Sequence, residues 1–237
     1  DELIPELGDQ LEKMIHIACD ASAFARGIAF AEQYDNIYLG MGVHPHDAKD
    51  YNPQTHQELI HYMQHPKVVA WGECGLDYHY DNSPREIQKS VFIQQIREAQ
   101  KLGKPLIIHT RDAEADTLEI LQKELSPQTK VHVHCFTSHE SLALELLKLS
   151  PNIYFGFTGV LTFKSAQSIK DTVQKISLDR ILLETDAPFM APIPFRGKPC
   201  HPGMVPYIAQ EIANLKEVSL EEVFLQCRAN TQNVYGI

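Results

Sequence analysis

Side chains that could bind a metal ion follow several short apolar segments of the chain. Five segments run directly into such a side chain: Ile37 to Val43 into His44, Val68 to Gly72 into Glu73, Leu106 to Ile108 into His109, Val131 to Val133 into His134, and Ile181 to Glu184 into Asp186. Imidazole nitrogens and carboxylate oxygens together suit Zn²⁺, Mn²⁺, Co²⁺ or Fe²⁺ better than a thiolate site would. A carboxylate such as Glu73 can bridge two ions held roughly 3.5 to 4 Å apart for attack on a phosphoryl group. The residue types therefore predict a divalent-metal centre.

Each of these residues also has a purely structural interpretation. A single His at the end of a strand is more often a hydrogen-bonded structural group than a ligand. Asp186 could equally cap a turn before Pro188. Glu73 is harder to explain structurally, because a buried carboxylate without a cation costs several kcal/mol. The joint pattern, rather than any one residue, favours the metal centre.

His132 and His134 lie on the same face of one predicted strand, because side chains alternate with a period of two. His132 is one pleat deeper, about 6 to 7 Å along the strand. We therefore expect His134 to be the ligand and His132 to be an interior residue or a support for a ligand. Glu184 shares a face with Asp186 and is expected to orient another group rather than to bind metal.

The candidate ligands need an element pattern that brings strand ends together. Seven apolar segments are predicted to be buried strands: Met14 to Cys19, Ile37 to Val43, Val68 to Gly72, Leu106 to His109, Val131 to Phe136, Ile153 to Phe157 and Ile181 to Glu184. Amphipathic stretches between them have helix start signals at Ser83-Pro84-Arg85-Glu86, Thr137-Ser138-His139-Glu140 and Ser219-Leu220-Glu221-Glu222. Alternating strands and helices predict a parallel α/β fold, in which catalytic groups gather where the strands end.

A TIM (β/α)₈ barrel needs eight strands, one more than the sequence offers. The chain opens with a helix-like stretch, Leu3 to Lys13, which should follow a strand. We therefore expect a barrel whose first strand lies upstream of Asp1. A seven-stranded or open doubly wound sheet is the alternative. Nothing interrupts the series, so residues 1–237 are predicted to form one barrel domain. The Pro-rich stretch Pro188 to Pro206 is predicted to be a long loop.

Charge and cysteine content exclude several classes of protein. Ten more acidic than basic residues give a net charge of -10, which disfavours a nucleic-acid binder with a broad basic surface. No apolar run approaches the roughly 20 residues of a membrane-spanning helix. The five cysteines are odd in number and contain no C-x-x-C pair, which is typical of a reduced, intracellular protein. We expect a cytoplasmic protein, or a nuclear one if the source is eukaryotic.

A phosphate-bearing substrate would need a local positive charge in this acidic chain, and its hydrolysis would need a nucleophile. Arg196 and Lys198 lie in the Pro-rich loop and could hold a substrate phosphate, although a solvated basic loop is an equal alternative. The sequence has no G-x-S-x-G elbow and no G-x-x-x-x-G-K-[ST] loop. Cys74 and Cys135 alternate away from the proposed ligands. A hydroxide held by metal is the better nucleophile candidate.

Five motifs in order resemble those of the TatD family of metal-dependent deoxyribonucleases. They are Gly42-Val43-His44-Pro45-His46, Gly72-Glu73-Cys74-Gly75-Leu76-Asp77-Tyr78, Ile108-His109-Thr110-Arg111-Asp112-Ala113, His134-Cys135-Phe136-Thr137 and Leu183-Glu184-Thr185-Asp186-Ala187-Pro188. The resemblance extends from about Gly42 to Thr231. It implies an amidohydrolase-type TIM barrel, one or two divalent ions (Zn, Mg, Mn or Co) and exonucleolytic hydrolysis of DNA.

The resemblance also implies roles for individual residues. Glu73, His109, His134 and Asp186 would be metal ligands, and Glu73 and Asp186 would also be catalytic. His44 and Arg196 would line the substrate mouth. We expect Arg111 and Lys198 to contact substrate as well. The chain differs from the family in two places: no H-x-H pair of a first strand is present, and Cys200 stands where the family usually has Asn.

These observations together predict a 3'-5' exodeoxyribonuclease that uses a metal-activated water, with Asp186 accepting the proton of that water. DNA is the expected partner, and we expect a monomer with no membrane or protein partner. Two alternatives stay open. One is a barrel amidohydrolase or ester hydrolase, such as an enzyme that removes amino acids from tRNA. Many binuclear amidohydrolases bridge their metal ions with a carbamylated Lys, and the strand ends of this chain offer Glu73 but no such Lys. The other is a non-catalytic binding protein that lacks half of its metal site.

Overall fold

The computed structural model describes residues 7–8 and 11–237. The chain divides into two compact units. The N-terminal unit comprises Lys13–His132 and Leu149–Asn152, and the C-terminal unit comprises Val133–Lys148 and Ile153–Ile237 with the described residues that precede Lys13. The prediction of one domain over residues 1–237 stays a prediction. Among the described residues, no helix is long and apolar enough to cross a membrane.

Strands and helices alternate through the N-terminal unit. In chain order they are β1 (Met14–Ala18), α1 (Ala21–Ala31), β2 (Ile37–Met41), a 3-10 turn (Pro45–Asp50), α2 (Pro53–Tyr62), β3 (Val68–Asp77), α3 (Arg85–Lys101), β4 (Leu106–Arg111), α4 (Glu114–Glu124) and β5 (Val131–Val133), whose last residue belongs to the C-terminal unit. Strands β1 to β4 pair as parallel neighbours in chain order. This confirms the predicted parallel strands, each followed by a helix.

The C-terminal unit continues the same alternation. Its elements are α5 (Glu140–Leu149, whose last residue belongs to the N-terminal unit), β6 (Ile153–Phe157), a 3-10 turn (Gly159–Thr162), α6 (Gln167–Lys175), a 3-10 turn (Leu178–Arg180), β7 (Ile181–Leu183), a 3-10 turn (Pro202–Met204), α7 (Val205–Lys216) and α8 (Leu220–Tyr235). Strands β6 and β7 are parallel. Residues 184–201 contain no helix or strand, which confirms most of the predicted loop from Pro188 to Pro206. The last residues of the predicted loop instead belong to the 3-10 turn and to α7, which begins at Val205.

Six of the seven strands differ in length from their sequence predictions, four of them by one or two residues at the C-terminal end. The two largest differences are in β3 and β5. Strand β3 was expected to end at Gly72 but extends to Asp77, because Gly72 and Gly75 let its backbone approach β4 closely. Strand β5 was expected to reach Phe136 but ends at Val133. Two residues later, Cys135 has a φ of 44°, a left-handed conformation that a strand does not accommodate.

Helix starts follow the expected capping chemistry in one case and depart from it in another. Ser219 accepts a hydrogen bond from the N–H of Glu222 and caps α8 as predicted. Ser83 was expected to cap α3, but the helix has no side-chain cap. The Ser83 hydroxyl instead donates to the carbonyl of His46 and accepts from the N–H of Lys49. It therefore fastens the turn that follows β2.

Two predictions concern the start of the chain. The helix-like stretch Leu3 to Lys13 lies largely outside the described residues. The strand expected upstream of Asp1 lies outside the sequence itself. Within the described ranges, seven strands are present, as many as the sequence predicts. The expectation of an eighth strand stays a prediction.

Candidate metal centre

Glu73 is positioned by an irregularity in β3. The register between β3 and β4 shifts between Trp71 and Cys74, so that two residues of β3 face one residue of β4. A bulge of this kind re-aims a side chain and is common beside active sites. Gly75 has a φ of 144°, and a Cβ there would lie 1.9 Å from the carbonyl oxygen of His109. Glycine is therefore required for the backbones that carry Glu73 and His109 to come together.

Glu73 and His109 form a close pair in the N-terminal unit. The Nδ1 atom of His109 lies 2.9 Å from Oε1 of Glu73, and the two side chains are largely buried. Donor atoms of His44, Glu73 and His109 all lie within 4.8 Å of one another. Of these three residues, Glu73 and His109 are the predicted ligands, and their carboxylate oxygen and imidazole nitrogen fit a Zn²⁺, Mn²⁺ or Co²⁺ ion, since these ions accept mixed nitrogen and oxygen ligands.

Asp77 contacts the ring nitrogen of His109 that does not face Glu73. Its side chain is 1% exposed, and its Oδ2 atom lies 3.0 Å from Nε2 of both His109 and His46. Its Oδ1 atom accepts the backbone N–H groups of His79, at 3.0 Å, and Tyr80, at 2.9 Å. A proton on Nε2 of His109 directs Nδ1 toward Glu73, where a cation would bind. Such carboxylate–histidine pairs orient metal ligands in many proteins.

The protonation behaviour of the pair follows from these contacts. Burial alone raises the pKa of Asp77, but the hydrogen bonds from His109, from the Tyr80 N–H and from His46 outweigh it and lower this pKa well below its usual range. Burial lowers the pKa of His109, but hydrogen bonds to Asp77 and Glu73 outweigh this effect and raise the pKa to about 9. Without metal, the His109 ring therefore holds a second proton that a metal ion must displace.

His44 differs from His109 in its tautomer. Its Nδ1 accepts the backbone N–H of His46, so the neutral ring carries its hydrogen on Nε2. Burial lowers the pKa of His44 to about 4, which keeps the ring neutral. A neutral ring with an N–H at Nε2 is suited to donate to a substrate oxygen. This agrees in chemistry with the predicted substrate contact, which stays a prediction.

Two buried glutamines of α3 fix the backbone that carries these residues. Gln95 accepts from the N–H of Val43 and from the Trp71 indole, and donates to the carbonyl of Val43. Gln88 accepts from the N–H of Asp77 and donates to its carbonyl. Neither glutamine was identified from the sequence. Their signal was a polar residue inside the apolar stripe of an amphipathic helix.

The C-terminal unit holds the other predicted ligands. Nδ1 of His134 lies 2.8 Å from Oε2 of Glu184, whose Oε1 accepts the N–H of Cys135. Nε2 of His134 lies 3.5 Å from Oδ1 of Asp186. Glu184 thus orients His134 so that Nε2 is directed to Asp186, which is the arrangement expected of a ligand with a supporting carboxylate.

Asp186 also takes part in a turn around Pro188, as its purely structural interpretation predicts. Its backbone carbonyl accepts the N–H of Phe189 at 2.7 Å. The turn uses this carbonyl, while the carboxylate faces His134. The two interpretations are therefore compatible, because they involve different atoms of Asp186.

The three basic residues predicted to contact substrate occupy exposed positions. Arg111 ends β4, and its guanidinium lies 4.9 Å from the centre of the Tyr80 ring. Arg196 stacks on Phe163 at 4.6 Å, and Lys198 lies 5.9 Å from the Phe195 ring. Their contact with substrate stays a prediction.

Cysteine residues next to the candidate ligands are poor nucleophiles. Burial raises the pKa of Cys135 to about 12 and raises that of Cys74 still further. Cys200, which departs from the family pattern, is buried in a small apolar cluster with Ala191 and Met204. These surroundings favour a packing role for Cys200 and disfavour thiolate chemistry at the other two.

The structure thus brings together Glu73 with His109, and His134 with Asp186, each pair within its own unit. That all four bind one shared centre stays a prediction. The role of Asp77 was not predicted from the sequence, although it lies four residues after Glu73 and alternation places it on the same strand face.

Comparison with known protein families identifies the family of this chain. The model of the family described as "TatD related DNase" matches residues 5–236. The chain belongs to this family. An uncharacterized metal-dependent hydrolase, YabD of Bacillus subtilis, is 41% identical over 229 residues, which cover 97% of this chain and 89% of YabD. As a member of this family, the chain is a metal-dependent hydrolase with a metal-binding site.

Two further relatives extend the comparison. The human 3'-5' RNA nuclease TATDN2 is 40% identical over 207 residues, which cover 86% of this chain but only 27% of TATDN2. The crystal structure of YjjV, a TatD homologue from Escherichia coli, superposes with a TM-score of 0.88 at 28% identity, covering 95% of this chain and 87% of YjjV. This match confirms the predicted α/β fold class of the TIM-barrel type.

Proposed function

We propose that this hydrolase cleaves phosphodiester bonds of single-stranded nucleic acid, removing nucleotides from the 3' end, with DNA as the expected substrate. The observation that carries the proposal is the largely buried pair of Glu73 and His109, whose Oε1 and Nδ1 atoms lie 2.9 Å apart, in a member of the TatD family. TATDN2 is named a 3'-5' RNA nuclease, which supports both the polarity and the class of substrate.

The candidate residues divide the chemistry among them. Glu73 and His109 in one unit, and His134 and Asp186 in the other, are the proposed metal ligands. When bound, a divalent ion lowers the pKa of a coordinated water and offsets negative charge on the phosphoryl oxygens. Asp186 accepts the proton of the attacking water.

The remaining groups hold the substrate. His44, neutral and with its N–H at Nε2, donates a hydrogen bond to a phosphoryl oxygen. Arg111, Arg196 and Lys198 bind flanking phosphates. The chain has a net charge of -10, so it attracts phosphates only where basic groups or metal ions concentrate positive charge. Zn²⁺, Mn²⁺, Mg²⁺ and Co²⁺ are the ions to test, since one or two of them suit these ligands.

Cleavage of a 5'-labelled single-stranded DNA and of the matching RNA, with each metal ion in turn, tests the proposal. We expect a ladder that shortens from the 3' end. Glu73→Ala and His134→Ala should abolish it, whereas Glu58→Ala and His61→Ala, at least partly exposed on α2, should cleave as the wild type does. Full activity of Glu73→Ala and His134→Ala would reject the assigned roles.

The same preparations separate the alternatives. Turnover of an aminoacyl ester without cleavage of either oligonucleotide would favour an ester hydrolase. Elemental analysis that finds fewer than one tightly held ion per chain, together with no turnover, would favour a binding protein.

A further inference from the structure

The C-terminal unit contains a cleft beside Asp186 that the proposed ligands do not use. Its volume is about 460 Å³, and Phe163, Pro188, Phe189, Arg196 and Lys198 contribute to its lining. A cavity of this size falls within the usual range for small-molecule pockets. The cleft begins next to the candidate ligand, because the Phe189 N–H donates to the Asp186 carbonyl at 2.7 Å.

The chemistry of this cleft is aromatic and cationic. Phe189 is 67% exposed, the largest exposure among the large apolar side chains of the described residues. Arg196 lies 4.6 Å from the centre of the Phe163 ring, and Lys198 is two residues further along the chain. The lining residues include no Asp or Glu, although acidic residues outnumber basic ones in the chain by 31 to 21. Aromatic faces beside basic groups are the combination that binds unpaired bases and their phosphates.

The loop that forms the cleft is held in place by several contacts. The N–H of Cys200 donates to the carbonyl of Pro188 at 2.9 Å and closes the base of the loop. Ile193 donates its N–H to the Thr162 hydroxyl at 2.9 Å. A Cβ at Gly159 would lie 2.0 Å from the carbonyl oxygen of Met190, so the loop packs directly on the preceding 3-10 turn. The exposed ring of Phe189 is thus presented by an ordered segment, which reduces the ordering cost of binding.

We propose that this cleft is a base-binding subsite for single-stranded nucleic acid, in which one unpaired base stacks on Phe189 while Arg196 and Lys198 bind the adjoining phosphate. The inference rests on the proposed function and names Phe189 as the group that gives it a preference for unpaired bases. Stacking on an aromatic face accepts any base but requires that the base be unpaired. The subsite therefore selects single strands over duplexes.

Fluorescence provides a direct test of stacking. The sole tryptophan of the chain, Trp71, is fully buried, so its emission is a constant background. In the Phe189→Trp variant, a 10-nucleotide single strand in EDTA, which stops hydrolysis, should quench the added emission. In a series of such strands, each with an abasic site at a different position, one strand should fail to quench the emission. Absence of quenching at saturating strand would overturn the subsite.

A double-mutant cycle tests the role of the native ring. Removing the base at the sensitive position should weaken wild-type binding about tenfold, and Phe189→Ala should weaken binding of the intact strand by a similar factor. Removing both should cost no more than either alone. Phe224→Ala, which removes an exposed Phe from α8, is the matched control and should bind as the wild type does.

The outcomes separate this inference from the proposed function. If the wild type cleaves single strands but the two losses are additive, the base does not contact Phe189 and the subsite is rejected alone. If Phe189→Ala binds the intact strand as the wild type does, the subsite is rejected as well. If the wild type neither binds nor cleaves any strand, the proposed function fails and the subsite fails with it. Capture of a protein partner through Phe189 in place of a strand would also overturn it.

Discussion

Replacement of Asp77 by Asn tests how far one buried carboxylate organises the metal centre. Asp77 accepts four hydrogen bonds, two ring N–H groups at Oδ2 and two backbone N–H groups at Oδ1. An Asn amide has the same shape but only one acceptor oxygen. In one orientation its NH₂ group faces the backbone N–H groups of His79 and Tyr80, which cannot accept. In the other it faces Nε2 of His46 and of His109, which can accept only if both rings move their hydrogen to Nδ1, the atom through which His109 would bind a cation.

The expected magnitude follows from the hydrogen bonds that Asn cannot accept. Loss of a carboxylate that orients a ligating His typically weakens metal binding 10- to 100-fold, or about 1.4 to 2.7 kcal/mol. Hydrogen bonds to charged groups contribute about 1.5 to 3 kcal/mol each, so Asp77→Asn should also lower the free energy of unfolding by about 3 kcal/mol or more. The His109 pKa, held up in part by Asp77, should fall from about 9.

Metal titration of the chelator-treated protein, followed by calorimetry, measures the affinity, and urea unfolding measures stability. Asp116→Asn is the matched control, because Asp116 is a carboxylate of the same unit that contacts Tyr78 and Lys89 rather than a ring of the cluster. We expect it to bind metal with wild-type affinity. Wild-type metal affinity in Asp77→Asn would refute the idea that this carboxylate sets the orientation of His109.

Three further predictions concern protonation, the second ligand pair and the scaffold. Because the metal-free His109 has a pKa of about 9, its stabilising contribution is fully present below pH 6.5 and is lost as the pH rises to 9. Metal must displace this proton, so calorimetric affinity should rise about tenfold per pH unit below 9; a flat profile between pH 6.5 and 8.5 would contradict the assignment. Glu184→Gln should weaken metal binding 10- to 100-fold by releasing the orientation of His134, and unchanged binding in the same titration would exclude this support. Gln95→Leu leaves three buried polar groups without a partner, two of them on Val43, and should lower the free energy of unfolding by about 3 kcal/mol or more, measured in urea. A change below 1 kcal/mol would show that the glutamine does not hold this strand end.

Local pattern was sufficient for much of the fold. Apolar β-branched segments and intervening amphipathic stretches predict strands and helices because side-chain periodicity is a property of neighbouring residues. The errors occurred where distant contacts decide. Strand β3 continues to Asp77 because glycines let it approach β4, and Ser83 leaves its expected cap to bind the turn after β2.

The same division holds at the candidate site. Glu73, His109, His134 and Asp186 were identified from residue type and position at the end of a strand. The pairing of Asp77 with His109 joins residues 32 positions apart, and that of Gln95 with Val43 spans 52. No local pattern carries such contacts, because they depend on which elements pack together.

By itself the amino-acid sequence determined which elements form and which side chains are chemically able to bind a metal ion, since both depend on residue type and short spacing. Tertiary structure alone decided that Nδ1 of His44 accepts a hydrogen bond, that Nε2 of His109 faces Asp77, and that Phe189 is held exposed beside Arg196. The physical reason is that tautomer, burial and exposure are set by neighbours in space. Those neighbours come from distant parts of the chain.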